Sequence, residues 1–195
     1  MSIGARFHEP SSMSRRPALP ISLYVTGRRV AVFGDGPGAR EREARLLRAG
    51  AEVVRLEPGD PGEGDALSGC AAAFIQPDGP PDAACERVAK SARAHGCLVY
   101  VHDRPELSDF AMPAIARRGP LQLAISTDAV APALARRLRE QLERLLEAAG
   151  DELDALIDRL ATRRRELPSE RRGELYAEAS RLHVAGRIRI DGDDE

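Results

Sequence analysis

An α/β fold built on a parallel sheet is what the first half of this chain predicts, on three observations. Apolar runs of strand length recur at 30–33, 51–56, 71–75 and 97–101. The stretches between them carry either helical apolar spacing or clusters of glycine and proline. They are also long enough for the helical crossovers that parallel strands need, which makes a doubly wound sheet the economical solution.

Taken in order, Arg29 to Phe33 reads as the first strand and runs into the turn Gly34-Asp35-Gly36-Pro37-Gly38-Ala39. A helix bearing Leu46 and Leu47 follows, and Gly50 ends it where a left-handed cap is favoured. Ala51 to Leu56 is the second strand, and Pro58 to Gly64 an acidic, turn-forming loop. Ala71 to Ile75 reads as a short buried strand, Pro81 to His95 as a helix with Ala84, Val88 and Ala92 on one face, and Cys97 to Val101 as the next strand. The pattern changes near Met112-Pro113. Leu121 to Ile125 is one more strand, and beyond Pro132 the spacing of Leu134, Leu138, Leu142, Leu145, Leu153, Leu156, Ile157 and Leu160 is helical. Gly150-Asp151 marks a turn between two helices, and Pro168 opens a further helix from Ser169 to about His183. The leucines from Leu134 to Leu146 favour a dimer contact.

The glycine turn carries the first chemical signal. A strand entering G-x-G-x-x-A and then a helix is the pattern of a dinucleotide pocket. Gly34 allows the tight turn, and Gly36 lets the backbone approach a pyrophosphate that the next helix's N–H groups receive; Ala39 takes the third small position, where helix packs on strand. Asp35, Pro37 and Gly38 complete the loop. Glu57 stands about twenty residues on, past the second strand, where a carboxylate can accept both ribose hydroxyls of NAD and repel a 2′-phosphate. Arg55, two residues earlier, is the feature that would favour NADP, and Glu57 as a mere opener of the following loop is the bland alternative. NAD is the preferred cofactor.

At 195 residues the chain has room for one such domain and a smaller attachment. Its 29 basic and 31 acidic residues leave a net charge of −2, so no global field argues for nucleic acid or an anionic membrane. Cys70, Cys85 and Cys97 are odd in number and widely spaced, which speaks against a disulfide framework and a structural zinc site and for reduced, cytoplasmic thiols. No run approaches a membrane span, and residues 1–17, rich in Ser and Arg, read as a mobile tail. A soluble, cytoplasmic protein without a bound metal is the expectation.

Asp103 follows the fourth strand at its carboxyl end, where open α/β sheets place their ligands, and is the candidate acid/base; forming the Asp103-Arg104-Pro105 turn is its alternative role. His102 beside it is a second candidate for moving protons, with helping to form the same turn as the favoured alternative. Ser126 and Thr127 lie just before the Pro132 helix, where hydroxyls and helix N–H groups suit a substrate carboxylate or simply cap the helix. No histidine or second acid is spaced to activate Ser126 as a nucleophile.

Read together, Leu19-Pro-Ile21, Gly27 to Gly36, Leu46 to Ala51, Asp103 and Phe110-Ala-Met-Pro-Ala-Ile115 resemble the precorrin-2 dehydrogenase and sirohydrochlorin ferrochelatase family of siroheme biosynthesis. The resemblance covers the chain from about Leu19 to the C-terminal helices. It implies an NAD-binding Rossmann-like domain over 18–112, a small dimerisation region over 113–148 and a helical C-terminal domain over 149–195. It further implies a homodimer that oxidises precorrin-2 to sirohydrochlorin, with Fe²⁺ entering as a chelatase substrate in some members, and Asp103 as the acid/base residue. The chain departs from the family in three places: Asp35 stands where a glycine is usual, Gln76-Pro77-Asp78 replaces Ala-Thr-Asn/Asp, and the segment Ser126 to Pro132 lacks two glycines. The alternative reading is a catalytically reduced homologue that binds NAD or a tetrapyrrole as a sensor or assembly partner.

Overall fold

A computed structural model describes residues 18–77, 83–128, 130–179 and 182. The tail over 1–17, Asp78 and His183 lie outside these described residues. The chain divides into two compact units, one of residues up to 113 together with 126–135, the other of 114–125 with 136–195.

The first unit is a four-stranded parallel sheet with strands β1 (Arg29–Phe33), β2 (Glu52–Leu56), β3 (Ala72–Ile75) and β4 (Leu98–Val101) in the order β2-β1-β3-β4. The chain moves from β1 to one side and returns to pair β3 on the other, so the carboxyl ends of β1 and β3 flank the point where strand order reverses. Alternation then sorts the side chains. Ala31, Phe33, Ala73, Ile75, Val99 and Val101 pack on one face beneath α2 (Glu63–Leu67) and α3 (Ala83–Ala94); Val30, Val32, Ala72 and Phe74 pack on the other beneath α1 (Pro37–Arg48), around Ala39 and Leu46. Among the described helices α1 is the one that packs on this second face, joined by Val25 and Phe110, and Tyr100 of β4 stays half-buried there.

Several sequence expectations need correction. The acidic loop expected over Pro58–Gly64 is present over 58–62, and only its last two residues enter the short helix α2, whose Leu67 is fully buried. On α3 the buried stripe is Cys85, Val88, Ala89 and Ala92, with Ala84 only half-buried. Leu47 points outward at 54% exposure while Leu46 turns in.

The second unit holds an antiparallel hairpin of β5 (Ala114–Arg118) and β6 (Leu121–Ile125) around Gly119-Pro120. The strand expected at Leu121–Ile125 therefore exists but does not join the parallel sheet, and β5 had no periodic signal of its own. In the span Pro132–Glu166 (α4) two helices meet at Gly150, where φ is 47° and ψ −139°, which is the turn between two helices that the sequence predicts. Arg118 reaches Asp154 through Nε at 2.8 Å and Nη2 at 2.6 Å, a two-pronged pair that ties the hairpin to this helix. The helix expected from Ser169 is a short 3₁₀ turn (Ser169–Arg171) followed by α5 (Glu174–Ala179). Among the described residues no helix is long and apolar enough to cross a membrane.

All three cysteines are buried, and Cys70 and Cys97 are free thiols. Burial raises the Cys70 and Cys97 thiols above their ordinary range; Arg29 partly offsets this at Cys70, and Cys70 adds to it at Cys97. The folded chain thus keeps protons that the unfolded chain releases first. Stability is expected to stay level through neutral pH and to fall as pH rises past the unfolded thiol value of ~8.5, losing the contribution fully once the folded thiols ionise. Urea titrations at pH 7 and pH 9.5 measure it, and a Cys70→Ser/Cys97→Ser variant should show a smaller drop than the parent.

Candidate functional site

The site starts from one close approach. Phe33 ends β1 and its carbonyl takes the Gln76 N–H at 3.0 Å, which draws the end of β3 alongside. Gly34 then turns at φ +106°, and a Cβ on it would overlap the Gln76 carbonyl oxygen and stand 3.2 Å from its carbon. Only glycine fits. The Gly34 N–H donates to the Leu56 carbonyl at 3.2 Å, and its own carbonyl accepts from Arg55 Nη2 at 2.6 Å. Arg55 also pairs with Glu43 of α1 at 2.7 Å, so the guanidinium that argued for NADP is spent on strapping the loop to α1.

Gly36 is extended and buried at the helix entrance, α1 begins at Pro37, and Ala39 packs inside at 1% exposure. No side chain caps this helix start and its first turn holds no acid. The N–H groups and the positive end of the dipole are left for an anion. Asp35 is exposed, and its carbonyl accepts from Arg40. Glu57 lies exposed beyond β2, with its N–H held by Asp60 at 2.6 Å and its carboxylate without a partner among the described residues.

Asp103 sits on the turn after β4 at φ 56°, a left-handed conformation that Asp and Asn tolerate better than most residues. The turn closes through Arg104 N–H to the Val101 carbonyl at 3.2 Å. The Asp103 side chain is 82% exposed, and its Oδ2 lies 3.6 Å from His102 Nε2, whose Nδ1 in turn stands 3.4 Å from the Tyr100 hydroxyl. Ser126 and Thr127 are engaged locally: Ser126 Oγ accepts from the Asp128 N–H at 3.3 Å and Thr127 Oγ1 from the Ala131 N–H at 3.2 Å, turn bonds that precede α4 and do not cap its first-turn N–H groups.

Between the glycine loop and the end of β4 opens a cleft of about 140 Å³ lined by Gly38, Glu41, Arg42, Arg45, Gln76 and His102. Sequence reasoning missed Arg42 altogether. Its guanidinium lies over the rings of Phe74 (5.1 Å) and Tyr100 (5.2 Å), and these rings pack with Phe110 at 5.6–5.8 Å. A cation at Arg42, three residues after Ala39 and four before Leu46, stands on the inward stripe of α1, and that misplacement was the available signal. Gln76 is 4% exposed with its Nε2 unpartnered. Burial pulls the Arg42 guanidinium below its ordinary value while Tyr100 partly offsets it, and burial pushes the Tyr100 hydroxyl up while Arg42 opposes.

A parallel sheet in this order, a glycine-only turn at its switch point and an open helix start define a Rossmann-like α/β protein. The solved structure of SirC, precorrin-2 dehydrogenase, shares this fold at a TM-score of 0.62, with 22% identity over 83% of this chain and 88% of that one. The family described as "Sirohaem biosynthesis protein central" matches residues 118–145. The siroheme synthase of Thiobacillus denitrificans is 35% identical over 174 residues, 79% of this chain and 36% of that protein, and siroheme synthase 1 of Halorhodospira halophila is 38% identical over 161 residues, 72% and 33%. The chain belongs to this siroheme biosynthesis family, and it spans about a third of the length of the siroheme synthases it matches.

Two glycines of the loop are expected to respond oppositely to alanine. Gly34→Ala meets both overlap and a left-handed φ, and should lose ~3 kcal/mol or more in urea unfolding. At Gly38 a Cβ would meet only Gln76 Oε1 at 3.4 Å, and alanine favours the helix, so Gly38→Ala should be neutral or more stable by up to ~1 kcal/mol.

Proposed function

We propose that this protein oxidises precorrin-2 to sirohydrochlorin with NAD, as an enzyme of siroheme biosynthesis. The observation that carries the reading is the placing of an open helix start after β1 and a carboxylate after β4, Asp103, at the same edge of one sheet in a chain of this family. The residues present fit a dinucleotide. Gly34 leaves a cradle that a Cβ would fill, and the first turn of α1 offers N–H groups with neither cap nor acid against them. Gly34, Asp35, Gly36, Pro37, Gly38 and Ala39 would hold the pyrophosphate, with the exposed Asp35 carboxylate in solvent; Glu57, unpartnered beyond β2, would accept the ribose hydroxyls. Arg55, the cation that would favour a 2′-phosphate, is committed to Glu43 and the Gly34 carbonyl, which supports NAD over NADP.

NAD supplies the hydride acceptor. The chain must supply a base, because loss of hydride from the macrocycle leaves a proton that has to depart. Asp103 takes that role: its carboxylate is exposed to a ligand on the turn that follows β4. His102, 3.6 Å away, is placed to pass the proton on to solvent. Ser126 and Thr127, in the segment that precedes α4, would meet the substrate's carboxylates once released from their turn bonds. A homodimer through 113–148 is part of the same reading, supported by Leu134 and Leu145, which stand 53% and 49% exposed on α4. The reaction belongs in the cytoplasm with the NAD pool.

Asp103→Asn keeps shape and left-handed tolerance but cannot accept a proton. It should bind NAD as the parent does and oxidise precorrin-2 at a rate lower by on the order of a hundredfold or more. Absorbance at 340 nm follows the reaction, and an Asn variant as fast as the parent would place the base elsewhere. Gly36→Asp, which brings a side chain and a charge to the pyrophosphate, should abolish NAD binding in titration calorimetry, and light scattering should return the mass of two chains.

A further inference from the structure

Most half-buried arginines among the described residues follow a rule. Arg55 holds Glu43 and the Gly34 carbonyl, Arg104 holds Glu86 and Glu106, Arg118 holds Asp154, Arg139 holds Glu143, and Arg29 donates to the carbonyls of Ser68 and Ala66. That is the expected behaviour of a charge taken partly out of water. Arg42 breaks the rule. It is half-buried, and whereas Arg55, whose Nε is likewise buried and unpartnered, has both its Nη groups met, among the described residues no hydrogen bond or ion pair joins the Arg42 guanidinium to a carboxylate or a carbonyl. What it has instead is the flat support of Phe74 and Tyr100, which fixes the plane of the guanidinium and leaves its charge unneutralised.

The cleft beside it repeats the pattern. Gln76 is buried there with an unpartnered amide, and Arg45 and His102 add further donors against the single acid Glu41, itself engaged with Arg45. Donors thus outnumber acceptors in a pocket whose floor is an aromatic cluster. A held, planar, unpaired guanidinium is the geometry that receives an anionic oxygen group through two parallel hydrogen bonds.

We propose that Arg42, with Gln76 beside it, is an anion receptor that takes a carboxylate at the rim of the tetrapyrrole and so orients the macrocycle over the carboxyl ends of β3 and β4. The identity of the ligand rests on the function proposed above; the vacancy of the guanidinium does not. A carboxylate is favoured over the dinucleotide's phosphates because the open start of α1 already supplies donors for a pyrophosphate, whereas Arg42 lies more than a turn further along the helix, against the aromatic rings. The role is one of binding and positioning, with no proton moved.

Arg42→Met keeps the stem that packs on the rings and removes the charge; Arg42→Lys keeps the charge without the fork. Both are compared with the parent as full chains, with circular dichroism and thermal unfolding verifying the fold. Sirohydrochlorin binding, read by its absorbance, should weaken by about tenfold or more in Arg42→Met and by less in Arg42→Lys, while NAD affinity by calorimetry stays within twofold. Loss of NAD affinity with sirohydrochlorin unchanged would keep the anion receptor and reassign its guest to a dinucleotide phosphate. Unchanged affinity for both in folded Arg42→Met would overturn the proposal. If the parent binds neither ligand, the proposed function fails on its own, and inorganic pyrophosphate then tests the receptor: a thermal shift in the parent that Arg42→Met lacks supports it, and equal shifts or none refute it.

Discussion

The close passage of Gly34 across the end of β3 is the constraint on which the rest of the first unit depends. The overlap that any Cβ would make with the Gln76 carbonyl is the price of bringing the ends of β1 and β3 into hydrogen-bonding contact, through Phe33 carbonyl and Gln76 N–H. That contact turns the Gln76 side chain inward and starts α1 directly above the switch point. It also leaves the Gly34 carbonyl facing Arg55, so β2 is drawn into the same knot through one guanidinium that reaches back to Glu43 on α1. Three strands and a helix meet around a residue with no side chain.

Charge placement explains much of the remainder. A helix-rich chain with 31% charged residues has to neutralise the arginines that its packing half-covers, and most are met by carboxylates from a neighbouring element or the next helical turn. In the second unit Arg118 does this across the hairpin and α4, and Arg136, Arg137 and Arg139 pair with Glu140 and Glu143 along α4, which makes that basic run a solvated face. Against that background the free guanidinium of Arg42 in the first unit stands apart, and so does the bare N-terminus of α1. Both are local surpluses of positive potential at one edge of one sheet.

The strands of the parallel sheet were legible because each is a short apolar run bounded by glycine or a helical stretch, and the glycine loop because its spacing encodes a turn and a close approach. Asp103 was legible as a candidate from its place after β4. Less visible were α2, whose single anchoring residue Leu67 gives no periodicity, and β5, whose sequence Ala114-Ile-Ala-Arg-Arg118 becomes a strand by pairing with β6. Helical leucine spacing carried across Gly150 correctly, yet the helix read from Ser169 starts as a 3₁₀ turn, and Arg172-Gly173 separates it from α5.

By itself the sequence determined the class of fold, the position of the tight turn and the family, because period, glycine spacing and motif order are local properties that survive without coordinates. Tertiary structure alone decided what the ionisable groups do. Arg55 and Arg42 are both arginines on elements flanking the same loop, and although Arg42's place on the inward stripe of α1 is a local signal, nothing local says what either guanidinium will meet. Folding places Glu43 and a carbonyl beside one and two aromatic rings beside the other, so the first is a strap and the second an unpaired charge. The difference arises because electrostatic partners are chosen by three-dimensional neighbours, at distances of a few ångströms, from residues 12 to 58 positions away along the chain.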